Sequence, residues 1–251
     1  MIIAVSGKGG VGKTMLAALL VRTFSEDTSN LLAIDADPDS NLPEAVGVKV
    51  EKTIGDVREE ILESRSRSPG STLHDVLEGH VMDTIEETDR FDLLEMGRPE
   101  GAGCYCAVNH VLRAIIDRWA KDYDIVIIDT EAGLEHLSRR TTQDVDVMIV
   151  VTDSSKRGIE TAKRIKVLAS ELDISFKELY VVVNRAADDM AEGIKKTLEE
   201  AGLKVLGTIP EDRNVLEFDY EGRPLTELPE DSPALQEVRR IKERLSAATG
   251  T

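Results

Sequence analysis

The sequence predicts a doubly wound α/β fold: a mostly parallel sheet of about seven strands with helices on both faces. Three observations predict it. Short β-rich runs alternate with helical patterns along all 251 residues, several of the runs are apolar throughout, and the first run leads into a glycine-rich loop that opens a helix. Continuous runs such as Ile125-Val126-Ile127-Ile128 and Met148-Ile149-Val150-Val151 suit strands covered on both faces. A strand with one wet face alternates polar and apolar residues instead. Strands separated by helices pair in parallel, and such sheets take their ligands outside the carboxyl ends of the strands.

The first strand is read at 2–6, from Ile2-Ile3-Ala4-Val5-Ser6, and the helix that follows at 13–24. Further strands are expected at 31–35, 91–95, 124–129, 145–152, 179–184 and 205–209, each rich in Val, Ile or Leu. Helices are expected between them at 107–120, 155–172 and 188–201. In the last helix, 232–245, Leu235, Val238, Ile241 and Leu245 recur every three to four residues and make one apolar stripe. The stretch 48–89 is charged and irregular. A helix at about 54–63 is expected there, followed by a loop through Ser64-Arg65-Ser66-Arg67-Ser68-Pro69-Gly70-Ser71. Neither an internal repeat nor a break in composition divides the chain, so residues 1–251 are read as a single domain.

Composition narrows the function classes. Hydrophobic residues make up 41% and charged residues 31%, a soluble globular balance. With 31 basic and 48 acidic side chains the formal charge is −17, so most of the surface would repel a phosphate backbone. A nucleic-acid partner is not expected. Neither is a membrane span, because no run of about 18 apolar residues occurs. The apolar start is too short for a signal peptide, and the cytoplasm is the expected compartment. Cys104 and Cys106 are separated by one residue, which strains any disulfide between them and excludes a disulfide framework.

Gly7-Lys8-Gly9-Gly10-Val11-Gly12-Lys13-Thr14 fits G-x-x-x-x-G-K-[ST] directly after a strand and before a helix. In such a phosphate loop the glycines let successive backbone N–H groups point at phosphate oxygens, and the helix N-terminus faces the same anion. Lys13 is placed to reach the β- and γ-phosphates, and the Thr14 hydroxyl to hold Mg²⁺. The domain is therefore read as a P-loop ATPase.

Lys8 has no special chemistry in an ordinary loop of this kind. The loop with this early lysine resembles the deviant Walker A motif of the family that contains the MinD and ParA partition ATPases and the nitrogenase iron protein. The resemblance implies ATP and ADP as ligands, Mg²⁺ as cofactor, and a homodimer in which Lys8 reaches the partner's ATP. Lys8 then places positive charge where negative charge develops in the transition state. Nucleotide contacts are implied for Gly9, Gly10, Val11, Gly12, Lys13, Thr14 and Met15. Asp35-Ala36-Asp37-Pro38-Asp39-Ser40-Asn41 resembles the family's switch I. On that match Asp37 orients or activates the attacking water, joining Lys8 and Lys13 as catalytic, and Asp35 helps hold the Mg²⁺ water shell. Asp129 reads as the Walker B acid near Mg²⁺, and Thr130-Glu131-Ala132-Gly133-Leu134-Glu135-His136-Leu137 as switch II. Asn184 and Arg185 match the adenine-contacting Asn-Arg pair, an amide being able to donate and accept at once. Ile209-Pro210-Glu211-Asp212 matches a loop that borders the base through backbone atoms, which implies nucleotide contacts for Pro210 and Asp212.

Gly101-Ala102-Gly103-Cys104-Tyr105-Cys106 supplies two thiolates, whereas soft divalent metals prefer four ligands. Two such pairs on the axis of a face-to-face dimer would make one shared site; the alternative is an inert, buried cysteine pair. The cysteine pair, taken with the switch II segment, resembles the CooC family, ATPases that support nickel insertion into carbon monoxide dehydrogenase, with relatives that serve acetyl-CoA synthase. That resemblance implies Zn²⁺ or Ni²⁺ held by Cys104 and Cys106 between subunits, and a metalloenzyme client. Two other readings stay open: a partition or septum-positioning ATPase, and an iron–sulfur reductase like the nitrogenase iron protein. His110 and His136 are not assigned as ligands.

Overall fold

One eight-stranded sheet carries the fold. The computed structural model describes residues 1–65, 80–98, 121–131, 145–171, 176–187 and 191–250. The strands are β1 (Ile2–Gly7), β2 (Leu31–Ala36), β3 (Ile85–Glu87), β4 (Asp92–Glu95), β5 (Ile125–Thr130), β6 (Val145–Asp153), β7 (Phe176–Ala186) and β8 (Lys204–Pro210). Their spatial order is β3-β4-β2-β5-β1-β6-β7-β8, and only β3 runs antiparallel to its neighbour. The described helices are α1 (Lys13–Phe24), α2 (Leu42–Val46), α3 (Ile54–Arg65), α4 (Lys156–Glu171), α5 (Ala191–Glu200), α6 (Arg213–Glu221) and α7 (Pro233–Thr249).

Alternating strand residues build two cores. Ile3, Val5, Leu31, Ala33, Ile127 and Ile149 face α1 and α7, meeting Leu16, Leu20, Leu235, Val238 and Ile241. Ala4, Leu32, Ile34, Val126, Ile128 and Met148 face the other way, toward Ile54 of α3, Ile165 of α4 and Leu198 of α5. Both parities are apolar because both faces are covered, which explains why the strands read as unbroken apolar runs. Among the described residues no helix is long and apolar enough to cross a membrane.

The seven expected strands are present, and the structure adds β3. At three residues, Ile-Glu-Glu, it is too short for an alternation to show. It pairs only with β4 and forms the sheet edge. Helix α2 was also not expected. It is a single turn between Asn41 and the left-handed Gly47, too brief to carry a period. Helix α6 escaped because Phe218 is its one buried side chain, leaving no stripe. Helix α3 continues through Ser64 and Arg65, the first two residues of the expected loop. The rest of that loop, the helix expected at 107–120, and positions 172 and 188–190 of the helices expected at 155–172 and 188–201 lie outside the described residues.

Candidate nucleotide site

The seven parallel strands bring their carboxyl ends to one edge of the sheet, and the turns that leave β1, β2, β5, β7 and β8 there build the site. Beta1 runs into the glycine loop, and α1 starts at its far end with Gly12 as the preceding cap residue. Gly12 sits at φ 94°, a left-handed conformation that L side chains rarely adopt, so glycine is required there. The first N–H groups of α1 have no partners within the helix and open onto the loop.

Behind the loop stand two acids in register. Asp35 is the penultimate residue of β2 and Asp129 of β5, and the two are directly paired across the parallel ladder. Both are buried, at 0% and 1% exposure. The Thr14 hydroxyl donates to Asp129 Oδ2 at 2.6 Å. Asp129 Oδ1 is buried with no hydrogen-bond partner. Asp35 is fully engaged: Oδ1 accepts from the Asp37 N–H at 3.0 Å and Oδ2 from the Leu42 N–H at 2.9 Å. Asp35 thereby shapes the turn that presents Asp37, whose own Oδ1 accepts from the Asp39 N–H.

Burial, and then the charge of Asp129, push Asp35 up to about 8, against the two N–H bonds it accepts. Burial pushes Asp129 up to about 6, with the Thr14 hydroxyl and the Lys13 ammonium pulling the other way. Two adjacent buried carboxyls resist carrying two full charges near neutral pH. A cation beside Asp129 would remove that resistance.

Above these acids lies a cleft of about 490 Å³. Gly9, Gly10, Gly12, Lys13, Thr14 and Met15 line it, together with Asp37, Asn184, Arg185, Pro210 and Asp212. The structure thus gathers most of the residues singled out from sequence. Four described ones do not line the cleft: Val11, Asp35 and Asp129 are buried, and Lys8 is exposed. Lys8 is exposed on the loop, and no described residue hydrogen-bonds or ion-pairs with it. Asn184 lies near the end of β7, with its amide against the loop. Asp212 is turned to structure: it accepts from the Asn214 N–H, the Ser232 hydroxyl and the Ala234 N–H.

The second wall was not read from sequence. Val215, Leu216 and Phe218 of α6 and Glu44 and Ala45 of α2 line it, with the Arg223 guanidinium 3.8 Å above the Phe218 ring. The signal that was available is Asp212 followed by Arg-Asn, an N-cap pattern that starts α6. Among the described residues no group of three or more His, Cys, Asp or Glu side chains is arranged to hold a metal ion. Cys104, Cys106, His110, His136 and residues 132–137 of the switch II segment lie outside the described residues.

Comparison with known proteins agrees with this geometry. A family model described as the CobQ/CobB/MinD/ParA nucleotide binding domain matches residues 2–225. An uncharacterized ATP-binding protein of Methanocaldococcus jannaschii is 55% identical, over 98% of this chain and 98% of its own. The carbon monoxide dehydrogenase accessory protein CooC of Rhodospirillum rubrum is 34% identical over 94% of this chain and 92% of its own. The structure of the MinD cell division protein of Aquifex aeolicus superposes with a TM-score of 0.72 at 24% identity, covering 98% of this chain and 96% of that one.

Proposed function

The chain belongs to the CobQ/CobB/MinD/ParA nucleotide-binding family, and on that premise we propose that residues 1–251 act as one ATPase domain that hydrolyses ATP to ADP and phosphate. The observation that carries the reading is the Thr14–Asp129 hydrogen bond beside the unpartnered, buried Asp129 Oδ1. An anionic oxygen left without a donor next to a hydroxyl suits a hard divalent cation, which takes oxygen ligands. Thr14 and Asp129 would hold Mg²⁺, with Asp35 behind them. Bound there, the ion would neutralise charge on the β- and γ-phosphates.

The chain's own groups do the rest. Backbone N–H groups of the loop and of the first turn of α1 bind phosphate oxygens, and buried Lys13 adds a fixed positive charge. Asp37, held by the Asp35 turn, orients the attacking water at the open side of the cleft. Lys8, exposed on the loop and not lining the cleft, serves a second copy of the chain in a nucleotide-dependent homodimer.

The physiological role we propose is maturation of a metalloenzyme, with nickel as cargo and a carbon monoxide dehydrogenase or acetyl-CoA synthase as client. Its support is the likeness to CooC over nearly the whole of both chains, together with the Cys104-Tyr105-Cys106 pair. The likeness to MinD, in sequence as well as in fold, supports the partition or septum-positioning reading as the alternative.

Two assays test these levels separately. Magnesium-dependent ATP hydrolysis should fall by at least about a hundredfold in Asp129→Asn, and unchanged turnover would remove the site assignment. Elemental analysis of anaerobically sized protein should find about one Zn²⁺ or Ni²⁺ per two chains, lost when both cysteines become alanine. Four irons with labile sulfide would point to a reductase instead. Normal ATPase with no metal at all would turn attention to the partition reading.

A further inference from the structure

Asn184 carries more than the reading of a base. It lies two residues before the end of β7 at 2% exposure, and both ends of its amide are engaged. Nδ2 donates to the Val11 carbonyl, inside the phosphate loop, at 2.8 Å across 173 residues of sequence. Oδ1 accepts from the Arg185 N–H at 2.9 Å. One partner can only accept and the other only donate, so the amide has one orientation. Arg185 itself sits at φ 52°, and its Nη1 lies 3.4 Å from the Gly10 carbonyl. A Cβ built on Gly12 would collide with Asn184 Nδ2, so the amide lies flat against the loop backbone. Three consecutive loop residues, 10 to 12, are thus approached from the end of a strand two places away in the sheet.

The consequence concerns the loop carbonyls. A phosphate loop works only while its N–H groups converge on the anion, which requires the carbonyls to point outward, away from it. The Val11 carbonyl is buried, and without a donor it would be drawn to rotate toward solvent or phosphate. Resting on the nucleotide-site reading above, we propose that Asn184 is a positioning residue for the phosphate loop, which it holds in its anion-binding form through the Val11 carbonyl. Base recognition and phosphate recognition then share one side chain. The Asn184 amide keeps one N–H and one oxygen lone pair for a base edge while bracing the loop.

The test separates phosphate from base by using a ligand with no base. Wild type, Asn184→Leu and Asn184→Ser are titrated calorimetrically with magnesium–ATP and with magnesium–tripolyphosphate, and their thermal unfolding is measured alongside. Both ligands should weaken by a similar factor of about ten in the folded variants, the effect of losing one buried hydrogen bond. Weakening of ATP alone would overturn the inference and leave the nucleotide-site reading intact, with Asn184 a base reader only. Lower thermal stability with both affinities unchanged would also overturn it, as a purely structural role predicts. A wild-type chain that bound neither ligand would defeat the nucleotide-site reading itself, and the inference with it. Should both variants fail to fold, proton exchange at Asn184 Nδ2 in asparagine-labelled wild type decides. One slowly exchanging proton supports the brace, and two exchanging at free-amide rates overturn it.

Discussion

Asp212 ties two helix starts together with a single carboxylate. Its Oδ1 caps α6 through the Asn214 N–H, and its Oδ2 accepts from Ser232 and Ala234 at the start of α7. Burial alone would raise its pKa, but the Ser232 hydroxyl and the two N–H donors outweigh that and hold it below the usual carboxylate value. A depressed folded pKa means stability that is present above the unfolded pKa of about 3.9 and is lost as pH falls through the lower, folded value. Asp212→Ala should lower unfolding free energy by roughly 2 kcal/mol at neutral pH, since it removes a cap and strands two buried donors. Denaturant melts should show that difference shrinking as pH falls below the unfolded carboxylate value of about 3.9; a constant difference across the acid range would mean the carboxylate's charge is irrelevant. At the same scale, Asp35 and Asp129 show the opposite sign. Burial raises both, which suits acids meant to face a cation rather than to stabilise the fold.

Helix α7 shows what an amphipathic stripe is for in this molecule. Leu235, Val238, Ile241 and Leu245 are all fully buried and pack on α1 and β8. The basic residues of the same helix are paired: Arg239 with Glu230 and Glu26, Arg240 and Arg244 with Glu237, and Lys242 with Asp27. Ile241 also covers Gly207 of β8, where an added Cβ would lie 2.6 Å from Ile241 Cγ1. Ile241→Ala should destabilise the protein by about 3 kcal/mol, the usual cost of a core cavity, with no change in nucleotide affinity of the folded state. Tyr220→Ala, at 92% exposure on α6, should stay within about 0.5 kcal/mol. Urea unfolding followed by circular dichroism measures both, and equal shifts would mean that α7 is not part of the cooperative core.

At the scale of the whole molecule, the cleft is open on one side and Lys8 stands exposed beside it. A site completed by a second copy would couple ATP binding to dimerisation and hydrolysis to the dimer. Lys8→Ala should therefore bind ATP with near-normal affinity and hydrolyse it at least about a hundredfold more slowly, because only a transition-state contact is lost. Calorimetric titration with magnesium–ATP, run beside a phosphate-release assay, checks both halves. Near-normal turnover in the variant would end the role of Lys8 in trans. The net charge of −17 adds a condition: two such chains repel one another, so the dimer should tighten with moderate salt.

The phosphate loop, α1 and the buried strands were legible in the amino-acid order because each is a local pattern. Glycines at 7, 9, 10 and 12 followed by Lys13 and Thr14 specify a turn within eight residues, and an apolar run specifies a doubly covered strand. Short elements were not legible: α2 and β3 hold too few residues for a period to repeat, and α6 buries too little. Only the tertiary structure decided which acids stand side by side, which amide braces the loop, and which helices close the cleft. The reason is distance along the chain. Thr14 meets Asp129 across 115 residues and Asn184 meets Val11 across 173, and neither contact exists until parallel register brings the strand ends to one edge.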